Sequence, residues 1–229
     1  MDTANTSLHL DCDAILFDMD GVLIDSTMSI IRHWKHWAAL HNINFEEILA
    51  VAHGRRSIET IRLVAPHLNA EKENLWFAEH EAGDTEGIIT IPGASDLLLS
   101  VPGHAWAIAT SATRPLAVNR LEHARLPIPD VIVTADDVTY GKPHPEPYLT
   151  AANQLNVNPE DCVVIEDSPA GIRSALDAGM RVVAVVSTHS PQELAEATII
   201  APSLKSVHCS PGTEHVCQIR VDKPIFKSN

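Results

Sequence analysis

The sequence predicts an α/β fold, with a Rossmann-like parallel sheet as its core and a small α-helical domain inserted near the start. Three observations support this prediction. Short apolar runs rich in β-branched residues alternate with helix-like stretches, the pattern of a doubly wound sheet. Residues 26–91 lack such runs and have helical spacing instead. The length of 229 residues suffices for a core domain and a smaller second one.

The apolar runs all have the length of a strand. Continuous apolar runs are typical of strands buried on both faces of a parallel sheet, and they predict strands at residues 14–17, 105–109, 131–133, 163–165 and 182–186. The intervening stretches predict helices at residues 93–101, 115–123, 145–155, 169–178 and 191–197. Four of these five stretches begin with proline, which is favoured in the first turn of a helix.

The interval from residue 26 to residue 91 breaks this alternation. Ile30, Ile31, Trp34, Trp37 and Ala38 recur at helical spacing, so we interpret the interval as an inserted helical domain. The predicted domains are therefore a catalytic core of residues 1–25 and 92–229 and a helical domain of residues 26–91. We predict a return linker at residues 90–93 and an edge strand at residues 218–221.

Composition and charge narrow the function classes. The net charge is −14, from 16 basic and 30 acidic side chains, which disfavours nucleic acid and anionic membranes as partners. No apolar run approaches the length of a membrane span, and residues 1–13 do not resemble a signal peptide. The four cysteines form no CxxC pair, so we expect no zinc site and no disulfide framework. We expect a cytoplasmic protein, monomeric or weakly dimeric.

The strongest chemical signal lies directly after the first predicted strand. Asp18 and Asp20 flank Met19, and Gly21 permits a sharp turn. In open α/β sheets ligands bind at the carboxyl ends of the strands. Two carboxylates there would repel each other unless a cation neutralised them. Taken alone, the motif also fits a calcium loop or an acidic turn.

Three further polar sites follow later apolar runs. Thr110 and Ser111 precede a predicted helix, where hydroxyl and N–H groups can hold a phosphate. Lys142 lies on a loop constrained by glycine and proline, and Glu166 and Asp167 end another strand. Each site alone also has a structural interpretation, as a helix cap or a solvated lysine. Together they form an ordered set of acid pair, hydroxyl, lysine and acid pair.

This set resembles the haloacid dehalogenase-like hydrolase superfamily. The resemblance is carried by the stretches FDMDGVLIDS, AIATSAT, YGKPHPEPYL and VVIEDSPAGIRSALDAGM. They cover most of the predicted core, and residues 26–91 correspond to the helical cap of the family. Within the superfamily the chain is similar to phosphatases of small sugar and polyol phosphates, including glycerol phosphate and 2-deoxyglucose 6-phosphate. β-Phosphoglucomutase is a more distant resemblance.

The resemblance implies a role for each core residue. Asp18 would attack phosphorus to form an aspartyl-phosphate, and Asp20 would act as general acid and then general base. Mg²⁺ would be held by Asp18, the Asp20 carbonyl and Asp167, with Glu166 acting through a bound water. The remaining phosphate oxygens would be shared by Thr110, the Ser111 backbone and Lys142.

The cap would supply specificity for a small phosphorylated metabolite. We expect His53, Gly54, Arg55, Arg56 and Glu59 near the substrate. A guanidinium offers a planar fork of donors to hydroxyl or phosphate oxygens. Family members differ in the spacing between the glycine and the arginine, and the spacing here favours Arg56 over Arg55.

Several activities use the same scaffold. A haloacid dehalogenase needs no proton donor, so Asp20 counts against that activity. A phosphonatase needs a cap lysine, and the stretch around Gly54 has arginines instead. A β-phosphoglucomutase-like mutase stays open, because it uses the same two aspartates. A non-catalytic protein that binds a phosphorylated metabolite is the second alternative, although the acid set is complete. The sequence thus predicts a Mg²⁺-dependent phosphatase.

Overall fold

The computed structural model describes residues 6–226. The expectation about a signal peptide concerns residues 1–13, and residues 1–5 of these lie outside the described part. The strands are β1 (Ser7–Cys12), β2 (Ala14–Phe17), β3 (Ile24–Asp25), β4 (Ile89–Thr90), β5 (Trp106–Ala109), β6 (Ile132–Val133), β7 (Cys162–Glu166), β8 (Arg181–Val185), β9 (Ile199–Ala201), β10 (Val207–Pro211) and β11 (Cys217–Asp222). The helices are α1 (Thr27–His41), α2 (Phe45–Ala52), α3 (Ser57–Val64), α4 (Ala70–Glu81), α5 (Ala94–Ser100), α6 (Arg114–His123), α7 (Glu146–Leu155) and α8 (Pro169–Asp177).

A six-stranded parallel sheet forms the centre of the molecule. Its strand order is β6-β5-β2-β7-β8-β9, and each neighbouring pair is parallel. β2, β5 and β7 are buried along their whole length, because helices or a second sheet cover both faces. All five predicted strands are present and β9 adds the sixth, so the α/β class with a parallel sheet is confirmed.

Different elements cover the two faces of the central sheet. On one face α5 and α6 pack together with a second, three-stranded antiparallel sheet of order β1-β11-β10. On the other face α7 and α8 pack through Tyr148, Ala151, Ile172 and Ala175. The strand predicted at residues 218–221 exists, but it is the middle strand of the antiparallel sheet. Its expected position as an edge strand was wrong.

The helix predicted at residues 191–197 is absent, and the segment forms successive turns. Most of its backbone hydrogen bonds join residues three apart, as from Glu193 N to Ser190 O at 3.1 Å and from Ala197 N to Leu194 O at 3.1 Å. The segment connects β8 to β9 within a short stretch. The turns bury Leu194 and Ala197 in the core, so tertiary packing rather than helix propensity sets the local conformation.

The helices α1–α4 lie between β3 and β4 and enclose an apolar cluster of their own. Trp34 and Trp37 are buried in this cluster, and Trp76 packs against it. Asn69 caps α4 by accepting a hydrogen bond from Lys72 N at 2.9 Å, which satisfies an otherwise free N–H. The exact domain boundary stays a prediction. Within residues 6–226, no helix is both long and apolar enough to cross a membrane.

Candidate active site

The polar strand-end residues meet because their strands are neighbours. β2 lies between β5 and β7 in the parallel sheet, so Asp18, Thr110 and Glu166 emerge at the same edge. After Asp18 the chain turns back tightly, with Gly21 at φ +87° and a 2.7 Å bond from Gly21 N to Ile24 O. A Cβ atom on Gly21 would lie 2.0 Å from Asp167 Oδ2. Glycine is therefore required here by both conformation and space.

Lys142 joins two of the carboxylates. Its Nζ donates to Asp18 Oδ1 at 2.7 Å and to Glu166 Oε1 at 2.8 Å, and the lysine has no solvent exposure. Burial opposes the charge on Lys142, but Asp18 and Glu166 raise its pKa above the ordinary value. The loop carrying Lys142 thus places a charged ammonium between the ends of two strands.

Glu166 is held by five donors. Oε1 accepts from Lys142 and from the Tyr148 hydroxyl at 3.0 Å. Oε2 accepts from Asp167 N at 2.8 Å, and from Ser168 N and Oγ at 2.9 and 3.0 Å. Burial opposes ionisation, yet Lys142 and these hydrogen bonds hold the pKa of Glu166 below its ordinary value. Glu166 therefore orients Lys142 and the start of α8, and its predicted action on a metal through water stays a prediction.

Three carboxylates form an acidic cluster beside Lys142. Oxygens of Asp18, Glu166 and Asp167 lie within 4.8 Å of one another. Burial, followed by repulsion from neighbouring carboxylates, raises the pKa of Asp167 well above its ordinary value, although the Thr188 hydroxyl donates to it. Burial also raises the pKa of Asp18 to about 7, against the attraction of Lys142. Carboxylate oxygens crowded in this way suit a hard divalent cation.

Asp20 is paired with an arginine that the sequence reasoning missed. Arg120 on α6 donates from Nη1 to Asp20 Oδ1 at 2.8 Å and is only 2% exposed. The signal was present, since Leu116, Ala117 and Leu121 form the buried face of α6 and Arg120 lies among them. A charge on an apolar helix face needs a buried partner.

Thr110 and Ser111 lie at the predicted place, before α6. Thr110 is 3% exposed and its Oγ1 accepts from Ala112 N at 3.2 Å. Ser111 Oγ donates across to the cap, to Gly54 O at 2.9 Å. Both residues line the cavity between α1–α4 and the sheet edge.

The cap contributes only some of the expected residues to this cavity. His53, Gly54 and Arg55 line it together with Asp18, Asp20 and Asp167. His53 packs edge-on against His189 at 5.5 Å between ring centroids. Burial and then His189 hold the pKa of His53 below its ordinary value.

Arg56 and Glu59 do not line this cavity, so the structure favours Arg55 there, and a substrate contact by Arg56 stays a prediction. The Arg56 guanidinium donates to Glu59 Oε1 at 2.6 Å and to the carbonyls of Val138 and Thr139 at 3.0 and 2.8 Å. Glu59 Oε1 also accepts from Gly141 N at 2.8 Å. All nitrogens of Arg56 are engaged, so the pair links the cap to the loop that carries Lys142.

The match to known proteins agrees with this site. The chain belongs to the haloacid dehalogenase-like hydrolase family, whose model matches residues 15–185. The sequence resemblance is thereby confirmed.

Two named relatives are phosphatases. Hexitol phosphatase A of Escherichia coli is 42% identical, over 86% of this chain and 93% of the relative. Glycerol-1-phosphate phosphohydrolase 2 of Saccharomyces cerevisiae is 37% identical, over 79% of this chain and 77% of the relative. Among solved structures, β-phosphoglucomutase from Clostridium difficile superposes with a TM-score of 0.71 at 25% identity, covering 85% of this chain and 92% of that one.

Proposed function

We propose that this protein is a Mg²⁺-dependent phosphatase that hydrolyses small sugar- or polyol-phosphate monoesters through an aspartyl-phosphate on Asp18. The observation that carries the proposal is the placement of Asp18 beside Lys142 and two further carboxylates, Glu166 and Asp167, with Asp20 in the same cavity. Two relatives named for polyol phosphates support the substrate class.

The charges at the sheet edge fit a divalent cation. Four acids and two bases meet there: Asp18, Asp20, Glu166 and Asp167 with Lys142 and Arg120. Lys142 and Arg120 compensate only part of this negative charge, so a divalent cation would stabilise the ionised carboxylates. Asp18 and Asp167 carboxylates and the Asp20 carbonyl would hold the ion, and Gly21 leaves space for Asp167. When bound, the ion would neutralise charge on the phosphoryl oxygens.

The chain's own residues divide the reaction between them. Lys142 occupies one oxygen of Asp18, so the other can attack phosphorus as the bond to the leaving alkoxide breaks. Asp20, held through Oδ1 by Arg120, can give a proton to that alkoxide from its second oxygen. The same carboxylate then takes a proton from the water that releases phosphate from Asp18. Thr110 and the Ser111 N–H would bind the other phosphate oxygens.

One observation favours a mutase as the second candidate. Arg55 lines the cavity from the cap and has no carboxylate partner within residues 6–226. A guanidinium placed there could hold the second phosphate of a sugar bisphosphate, as a mutase requires. A cytoplasmic location and a monomeric or weakly dimeric state stay predictions.

The proposal is tested by measuring phosphate release from glycerol 1-phosphate, mannitol 1-phosphate, 2-deoxyglucose 6-phosphate and both glucose phosphates. We expect release with Mg²⁺ and none with EDTA, with one ester clearly preferred. Asp18→Asn should lower kcat by at least about 1,000-fold while the protein stays folded. Asp96→Asn, an exposed acid on α5, is the matched control and should match the wild type.

The contrary results are distinct. If no ester releases phosphate with Mg²⁺, the phosphatase proposal fails. Interconversion of glucose 1- and 6-phosphates without net release would establish the mutase instead. Turnover retained by Asp18→Asn would reject the covalent intermediate.

A further inference from the structure

The cavity contains an acidic side chain that the proposed reaction does not use. Glu81 ends α4 in the cap and lines the cavity together with Asp20 and Arg120. No residue in the described range donates a hydrogen bond to its carboxylate. Arg120, Asp20 and Asp84 act on it only as nearby charges. Glu81 thus presents an acceptor to the interior of the cavity that the protein itself leaves without a donor.

Arg120 faces the same cavity with donors to spare. One nitrogen, Nη1, donates to Asp20 at 2.8 Å. Its Nε is buried and has no partner in the described part of the chain. A guanidinium has five N–H donors and no acceptor, so a side chain that is 2% exposed and uses so few of them calls for a further acceptor.

A hydroxyl group matches both side chains at once. It can donate to an oxygen of Glu81, which accepts whether or not the carboxyl group is protonated, and it can accept from the guanidinium of Arg120, which only donates. An alkyl group would leave both unsatisfied.

We propose that Glu81 and Arg120 select the alcohol part of the substrate by binding a hydroxyl group close to the ester oxygen. This inference rests on the proposed phosphatase function and deepens it. The position follows from Asp20: the carboxylate that would protonate the ester oxygen is bonded to Arg120, so a hydroxyl bound there lies near that oxygen. The preferred esters are therefore polyol phosphates with a hydroxyl next to the ester carbon. Ile30 and Trp34 line the same cavity and can cover the carbon chain.

The test compares two esters of equal chain length, glycerol 1-phosphate and propyl phosphate, in two variants of Glu81. Glu81→Leu removes the acceptor and should lower kcat/KM for glycerol 1-phosphate by about 10–100-fold, mostly through KM. Glu81→Gln keeps an acceptor without charge and should show a smaller loss. The reference is the loss of kcat/KM that Glu81→Leu shows on glycerol 1-phosphate. On propyl phosphate, each variant should lose at least about tenfold less kcat/KM than this reference.

The control variant is Glu79→Gln, an exposed acid on the same helix, which should behave as the wild type with both esters. Arg120→Met should lower kcat with both esters, because it also releases Asp20. Equal losses on the two esters in Glu81→Leu, or no loss on either, would overturn the inference while leaving the phosphatase intact. A wild type that releases no phosphate from either ester would overturn the proposed function, and this inference with it.

Discussion

Replacing Gly54 with alanine tests how closely the cap must approach the core. Gly54 has φ +74°, and an added Cβ would lie 2.3 Å from Ser168 Oγ and 3.0 Å from Ser168 Cβ. Ser168 cannot turn away freely, because its hydroxyl donates to Glu166 Oε2 and accepts from Gly171 N. The cap must therefore move outward, or Ser168 must give up both hydrogen bonds.

The size of the effect follows from those two bonds. Each contributes about 1 kcal/mol, so the arrangement with the cap against the core loses about 2 kcal/mol. That corresponds to a decrease in kcat/KM of about 30-fold, since 1.4 kcal/mol is tenfold. The left-handed backbone of Gly54 adds about 1–2 kcal/mol of strain for alanine. This strain does not depend on cap position, so it should lower the melting temperature instead.

The assay is steady-state phosphate release together with thermal unfolding. Gly83→Ala is the matched control, because Gly83 also lies in the cap and an added Cβ meets no atom within 4 Å. It should keep kcat/KM within about twofold of the wild type. If folded Gly54→Ala keeps wild-type kcat/KM, or if Gly83→Ala loses as much, close contact with Ser168 is not needed for catalysis.

Three other variants test separate contacts. Arg56→Ala should raise KM about tenfold for every ester without changing their ranking, because Arg56 anchors the cap outside the cavity. Arg62→Ala, which removes an exposed ion pair, is its control. A changed ranking of the esters would contradict this role of Arg56. Tyr148→Phe should lower the free energy of unfolding in urea by about 1–2 kcal/mol, since the buried Glu166 loses a donor; an unchanged midpoint would refute it. Burial raises the pKa of Glu81 from 4.5 to about 7, so the folded state holds a proton that the unfolded state releases, and stability falls as pH rises across this window. Glu81→Gln should therefore gain up to about 2 kcal/mol on the wild type between pH 5 and pH 8, whereas parallel pH curves would show that Glu81 does not titrate in this way.

The strand-end residues could be predicted from the sequence because local patterns determine them. An apolar run followed by a polar residue marks where a buried strand ends, and Asp18, Thr110 and Glu166 all follow such runs. Parallel neighbours then bring these positions together without further information. Lys142 lies close to these strand ends, as the order of the motifs predicts. Its contacts with Asp18 and Glu166 nevertheless join residues that are far apart in the sequence.

The cap contacts depend on tertiary geometry that local patterns do not contain. Arg55 and Arg56 lie at the start of α3, where adjacent side chains point in different directions. The packing of α3 over the core therefore decides which of the two faces the cavity. The pairing of Arg120 with Asp20 joins residues from separate elements. The antiparallel sheet was missed for a similar reason, since β1 has no neighbour in sequence that pairs with it.

The antiparallel sheet of β1, β11 and β10 also limits how early the fold can be completed during synthesis. β1 precedes the first core strand, whereas its partner β11 is the last strand described, and Ser7 pairs with Asp222. A growing chain can assemble the central sheet while β1 remains unpaired, because contacts between distant segments form late. Cys12 and the rest of β1 acquire their final neighbours only after β11 emerges. The apolar face that this sheet covers together with α5 and α6 therefore depends on a pairing between the first and the last described strands.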